Sequence, residues 1–137
     1  MSQTIPSVLY VEDDLLSREI MILVFRRVLE NPHLTIFENS ARFMERLTLL
    51  PRPPQLILLD IYIEPHSGFE VLRMIRTHPD FAHTPVAAVT ASSSPSELKR
   101  MMQAGFDGVI LKPVFAGTLP EQLDRLMNGG KVWPALT

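Results

Sequence analysis

The chain contains no cysteine, which removes disulfides, zinc–thiolate sites and thiol nucleophiles together and is compatible with a reducing compartment. Glycine is scarce, at six in 137 residues. Neither G-x-G-x-x-G nor G-x-x-x-x-G-K occurs, so the glycine loop needed for dinucleotide or nucleotide binding is missing. Long hydrophobic runs are missing too: the longest purely apolar stretch, Ile20 to Phe25, is far too short to cross a bilayer. The N-terminal MSQTIPSVLYVEDD lacks the basic start and apolar core of a signal peptide. Nor is there a basic excess. Thirteen Lys and Arg are scattered among fifteen Asp and Glu, a net charge of −2, which leaves no patch able to neutralise a run of phosphates. The histidines, His33, His66, His78 and His83, form no i, i+4 pair that would suit a metal. The expectation is a soluble, cytoplasmic protein without direct nucleic-acid or membrane contact.

What the chain does have is apolar residues, 46% against 20% charged, a balance that folds unaided. At this length one core suffices, so residues 1–137 are expected to form a single domain with its core in 6–128. The tail 129–137 is too short for an output domain.

Four continuous apolar runs stand out: Val8–Val11, Leu56–Leu59, Val86–Val89 and Val109–Leu111. Runs of this length suit strands covered on both faces, as in a parallel sheet between helical layers. The more mixed segment 33–37 suits an edge strand. Between them, helical spacing links Leu16, Ile20, Leu23, Val24 and Val28, then Phe43, Leu47 and Leu50, then Leu119, Leu123, Leu126 and Met127. Ser67 with Glu70, Ser94 with Glu97 and Thr118 with Glu121 have capping-box spacing, and Asp14 suits an N-cap. The reading is strand 6–12, helix 14–30, strand 33–38, helix 40–50, strand 55–60, helix 67–78, strand 85–90, helix 95–104, strand 108–112 and helix 119–128. Five successive βα units predict an α/β, flavodoxin-like doubly wound sandwich with a five-stranded parallel sheet in the order 2-1-3-4-5.

In such a sheet, working residues gather at the carboxyl ends of the strands. Glu12, Asp13 and Asp14 follow the first strand, Asp60 ends the third, Thr90 the fourth and Lys112 the fifth. Converging carboxylates repel one another unless a cation joins them, and hard oxygen ligands favour Mg²⁺. An ionised Asp beside Mg²⁺ is a competent nucleophile toward phosphorus, with Lys112 and Thr90 placed to hold phosphoryl oxygens.

Val11-Glu12-Asp13-Asp14, Leu56-Ile57-Leu58-Leu59-Asp60 with Gly68-Phe69-Glu70-Val71-Leu72, Val89-Thr90-Ala91 and Lys112-Pro113, separated by 47, 30 and 22 residues between Asp13, Asp60, Thr90 and Lys112, resemble the receiver domain of two-component response regulators. The resemblance covers residues 7 to about 128. It implies that Asp60 is the phosphoacceptor, that Asp13 and Asp60 ligate Mg²⁺ directly with Glu12 acting through water, and that the Tyr62 carbonyl supplies another oxygen. Thr90 and Lys112 would contact the phosphoryl group, and Lys112-Pro113 is expected to be cis. A histidine kinase or histidine phosphotransfer protein would donate the group and a downstream protein would read the result, with homodimerisation left open.

Three departures accompany the resemblance. Glu64 stands where the family usually has Pro, with Pro65 one residue later. Val109 replaces the aromatic common three residues before the lysine, with Phe106 or Phe115 as substitutes. Tyr62 is a bulky neighbour of the acceptor that would hinder an attacking water. Two other readings compete with the phosphorylated switch. One is a pseudo-receiver that binds partners irrespective of phosphorylation. The other is an aspartyl-phosphate phosphohydrolase, disfavoured because Tyr62 occupies the position of the second acid such enzymes carry. The protein is therefore expected to be a phosphoacceptor rather than an enzyme acting on other substrates.

Overall fold

Every residue of Val8–Val11, Leu56–Leu59 and Val86–Thr90 is buried, as their unbroken apolar sequence requires. In the computed structural model, which describes residues 5–92 and 94–134, these segments are β1, β3 and β4. The remaining elements are α1 (Leu15–Arg27), β2 (Leu34–Phe37), α2 (Phe43–Thr48), α3 (Gly68–Thr77), α4 (Pro95–Ala104), β5 (Gly108–Leu111) and α5 (Leu119–Met127). The strands form one sheet in the order β2-β1-β3-β4-β5, parallel throughout. The mixed segment is indeed an edge, β2. No helix among the described residues is long and apolar enough to cross a membrane.

Side chains of alternate strand positions feed two cores. Leu9, Ile57, Leu59, Ala88 and Val109 face α2, α3 and α4, where Phe43, Leu72, Ile75, Leu98 and Met101 meet them. Val8, Tyr10, Leu58, Val89 and Ile110 face α1 and α5, against Met21, Phe25, Leu119 and Leu126.

Three local expectations need correction. The buried face of α1 is Met21, Val24 and Phe25, while Leu16, Leu23 and Val28 are exposed. The helix is apolar on two sides, so spacing alone admits two stripes, and the one holding the large Phe25 is the one that buries. Ser67 and Ser94 accept hydrogen bonds from the Glu70 and Glu97 amides, but Thr118 adopts helical backbone angles, φ −115° and ψ −21°, and caps nothing with its side chain. Its amide instead donates to the Phe115 carbonyl at 3.1 Å. Helices α1 and α2 are also shorter than the spacing suggested, and α2 follows Arg42 in the left-handed region at φ 50°.

The start of α3 is pressed against the loop after β3. A Cβ on Gly68 would lie 2.7 Å from the Asp60 carbonyl oxygen and 2.9 Å from Ile61 Cα. The Gly68 amide donates to the Ile61 carbonyl at 2.9 Å. Glycine here lets the helix brace the segment that carries Asp60.

Candidate functional site: an acidic cluster at the carboxyl edge of the sheet

Strand register dictates which side chains meet. Val11 pairs with Leu59, so Glu12 and Asp60 are the next residues on adjacent strands, and the Asp60 amide donates to the Val11 carbonyl at 3.0 Å. Thr90 pairs with Leu111, and the Lys112 amide donates to the Thr90 carbonyl at 2.9 Å. One carboxylate oxygen from each of Glu12, Asp13 and Asp60 lies within 4.8 Å of the other two. Lys112 Nζ sits between two of them, 2.7 Å from Glu12 Oε1 and 2.8 Å from Asp60 Oδ2.

Burial sets the electrostatics. Glu12 is fully enclosed, Asp60 and Thr90 are buried, and Asp13 is exposed. Desolvation, reinforced by its hydrogen bond with Asp60, pushes the Glu12 carboxyl up to about 7 despite the opposing pull of Lys112 and Tyr10. Burial acts on Asp60 in the same direction, but hydrogen bonds from Glu12, Lys112 and the Tyr62 amide outweigh it and hold Asp60 below the usual carboxylate range. For Lys112, desolvation disfavours the cation, yet Asp60 and Glu12 prevail and raise its pKa. At neutral pH Asp60 is therefore ionised beside an ammonium group, with the shared proton on the Glu12 side.

The second carboxylate oxygen of Asp60, Oδ1, accepts from the Tyr62 amide at 2.9 Å. The Tyr62 ring is 63% exposed, and its hydroxyl donates to Glu97 Oε2 on α4 at 3.0 Å. Thr90 Oγ1 accepts from the Ser92 amide at 3.2 Å. Asp14 is drawn away from the cluster, accepting from the Ser17 amide and hydroxyl at 2.8 and 2.7 Å as the cap of α1. Both Lys112-Pro113, as expected, and Glu64-Pro65, which was not foreseen, are cis. Ser40 clasps the second of these loops: its amide donates to the Glu64 carbonyl at 2.9 Å. Its hydroxyl donates to the His66 carbonyl at 2.6 Å and accepts from the His66 amide at 2.8 Å.

Tyr10 was missed in the sequence, where it reads as one more apolar strand residue. Its hydroxyl donates to Glu12 Oε1 at 2.5 Å, and burial together with Glu12 raises its own pKa far above the ordinary tyrosine value. The available signal was period two, since residues 10 and 12 of a strand share a face.

A doubly wound parallel sheet with acids after β1 and β3, a threonine ending β4 and a lysine after β5 defines the class of phosphoacceptor signalling domains. The chain belongs to the response regulator receiver domain family of two-component systems, whose model matches residues 8–124. The chain is similar to chemotaxis protein CheY-3 of Vibrio cholerae, 30% identical over 96 residues that cover 67% of this chain and 74% of that protein. It also resembles the polar-differentiation response regulator DivK of Brucella ovis, 34% identical over 110 residues, 79% of this chain and 85% of DivK. Among solved structures, the chemotaxis response regulator CheY4 of Vibrio cholerae superposes with a TM-score of 0.78 at 20% identity, covering 90% of this chain and 99% of that one, a likeness of fold.

Receiver domains bind Mg²⁺ at an acidic pocket, and the donor set here fits that ion. Three carboxylates supply hard oxygens in close array, and one of them is held so far from its ordinary titration that a cation would relieve the crowding.

Proposed function

We propose that this chain is a phosphorelay switch in which Asp60 accepts a phosphoryl group from a histidine kinase or a histidine phosphotransfer protein. The carrying observation is the bridge of Lys112 Nζ between Glu12 and Asp60, which keeps the nucleophile ionised inside a buried site. An Asp60 oxygen attacks phosphorus, the P–N bond of the phosphohistidine breaks, and the departing imidazole takes its proton from solvent. Asp13, Asp60 and the Tyr62 carbonyl would hold Mg²⁺, with Glu12 acting through water. When bound, the ion supplies positive charge against the phosphoryl oxygens. Lys112 transfers its ammonium from the carboxylates to a phosphoryl oxygen, and the Thr90 hydroxyl takes another, both as charge-assisted hydrogen bonds.

A protein donor suits the rim of the site. Leu15 and Leu16 open α1 directly after the acidic triplet and are 60% and 64% exposed, and Phe115 beyond Pro113 is 67% exposed. Apolar groups left in water beside a charged pocket favour a partner that covers them. A downstream protein then reads the change in surface.

Intact-mass measurement after incubation with Mg²⁺ and acetyl phosphate tests the reading. One phosphoryl group should add to the wild type and none to Asp60→Asn. An unchanged mass for the wild type would leave a pseudo-receiver that binds partners without phosphorylation.

A further inference from the structure

Three donors serve the enclosed carboxylate of Glu12. Oε1 accepts from the Tyr10 hydroxyl at 2.5 Å and from Lys112 Nζ at 2.7 Å, and Oε2 accepts from the Asp14 amide at a longer 3.3 Å. Two of these donors are fixed in place. The Asp14 amide belongs to the backbone, and the Tyr10 ring, 1% exposed, is packed into the core on the α1 and α5 side. The third is divided, because Lys112 Nζ also serves Asp60 Oδ2 at 2.8 Å.

A phosphoryl group on Asp60 draws Lys112 toward its new oxygens, and Glu12 Oε1 then loses the cation that offsets its burial. A buried acceptor stripped of its donor opposes the change with the cost of its own desolvation. The surroundings offer little to replace the lysine. A cavity of about 200 Å³ borders Tyr10 and Lys112, and Leu16, Ile20 and Val114 line it with apolar groups. The Ser17 hydroxyl, which also borders it, is committed to Asp14 Oδ2 at 2.7 Å. The cavity gives the lysine stem room to swing, while the phenol ring stays where the core holds it.

We propose that Tyr10 is a positioning residue for phosphoryl acceptance: its hydroxyl holds Glu12 Oε1 while Lys112 is away, and so lowers the cost of moving the ammonium onto the phosphoryl group. The assignment rests on the phosphorelay reading of Asp60. Tyr10 acts through Glu12 and touches neither phosphorus nor its oxygens. An aliphatic residue of the kind that fills the rest of the strand, Val8, Leu9 and Val11, would serve the core as well but would leave Glu12 dependent on the lysine.

Fluoroberyllate with Mg²⁺ stands in for a phosphoryl group on the acceptor aspartate and lets the exchange be followed at equilibrium. The chain has three lysines, Lys99, Lys112 and Lys131, and two tyrosines, Tyr10 and Tyr62. Isotope labels at lysine Cε and tyrosine Cζ therefore give few NMR signals, assigned with Lys99→Arg, Lys131→Arg and Tyr62→Phe. In the wild type, fluoroberyllate should move the Lys112 and Tyr10 signals together, with one half-point. A Tyr10 signal that stays put while that of Lys112 moves would overturn the assignment, and this arm decides without any substitution at Tyr10. In Tyr10→Phe, checked for cooperative unfolding, the fluoroberyllate needed to half-convert the Lys112 signal should rise about tenfold, the worth of one hydrogen bond to a charged group, while Mg²⁺ alone binds as in wild type. Equal half-points in the two proteins would overturn the assignment. So would an Mg²⁺ affinity that falls by the same factor, since a ring that merely shaped the pocket would weaken both. A wild type that takes neither fluoroberyllate nor the phosphoryl group of acetyl phosphate would overturn the phosphorelay reading, and this assignment with it.

Discussion

The Tyr10 hydroxyl, from within the sheet, donates to Glu12 Oε1 at 2.5 Å and thereby fixes the most deeply buried acid of the site. This bond favours the ionised form of Glu12. Tyr10→Phe should therefore cost about 1–3 kcal/mol, the usual penalty for a buried acceptor that loses its donor. The loss should be greater at pH 8 than at pH 5 in urea denaturation without metal. An equal loss at both would mean that only packing changed.

Stability without metal should fall as pH rises from about 4.5 through about 7. The folded Glu12 titrates near 7 and the unfolded residue near 4.5, so between these values the folded state holds the extra proton and gains from it. The loss across that window is on the order of 2–3 kcal/mol. Asp60, depressed below 3.8, has the opposite sign: its contribution is present at neutral pH and disappears as acid protonates it, below the first window. Denaturation with EDTA at pH 5 and pH 8 measures the slope, which Glu12→Gln should flatten. Mg²⁺ should restore stability at pH 8 by binding the folded state alone.

Ser40→Ala should destabilise the protein by about 1–3 kcal/mol, because it leaves the His66 amide and carbonyl without their buried partner. The loop holding Glu64-Pro65 should exchange its amides faster, while phosphorylation of Asp60 persists. Loss of phosphorylation without any change in exchange would show that Ser40 acts on the chemistry itself.

Tyr62→Phe removes the bond from the loop after β3 to Glu97 in the first turn of α4. Hydrogen exchange should rise at residues 95–100, and Mg²⁺ affinity should hold, since the Tyr62 amide that serves Asp60 is untouched. A loss of metal affinity would tie the ring to the site more closely than its exposure suggests.

The sheet was legible because β1, β3 and β4 are buried on both faces and their sequences carry no polar interruption before the functional residue. Glu12, Asp13, Asp60 and Lys112 were legible as a group because parallel strands bring their carboxyl ends to one edge. The face of α1 was not, as Leu16 and Leu23 are as apolar as Met21 and Phe25, and only the tertiary contacts distinguish them. The clasp of Ser40 was invisible for another reason: it joins residues 26 apart through backbone atoms, which leave no mark on residue type. Trp133, in a tail expected to lie outside the core, packs beside Val109 instead. Of the two aromatics expected to substitute for the missing one, Phe106 is buried against Phe69 with ring centroids 5.8 Å apart, and Phe115 is exposed.

The bridge made by Lys112 has a consequence for how the chain is born. Asp60 precedes Lys112 by 52 residues, and at about 5–20 residues per second a ribosome takes several seconds to close that interval. During it, β1 and β3 already have their sequences complete, yet pairing them brings Glu12 against Asp60 with no ammonium between. The half-made sheet must hold a proton between the two acids or repel itself at its working edge, so the last strand to emerge is the one that lets both ionise. Vectorial synthesis thus favours late, concerted closure of this sheet.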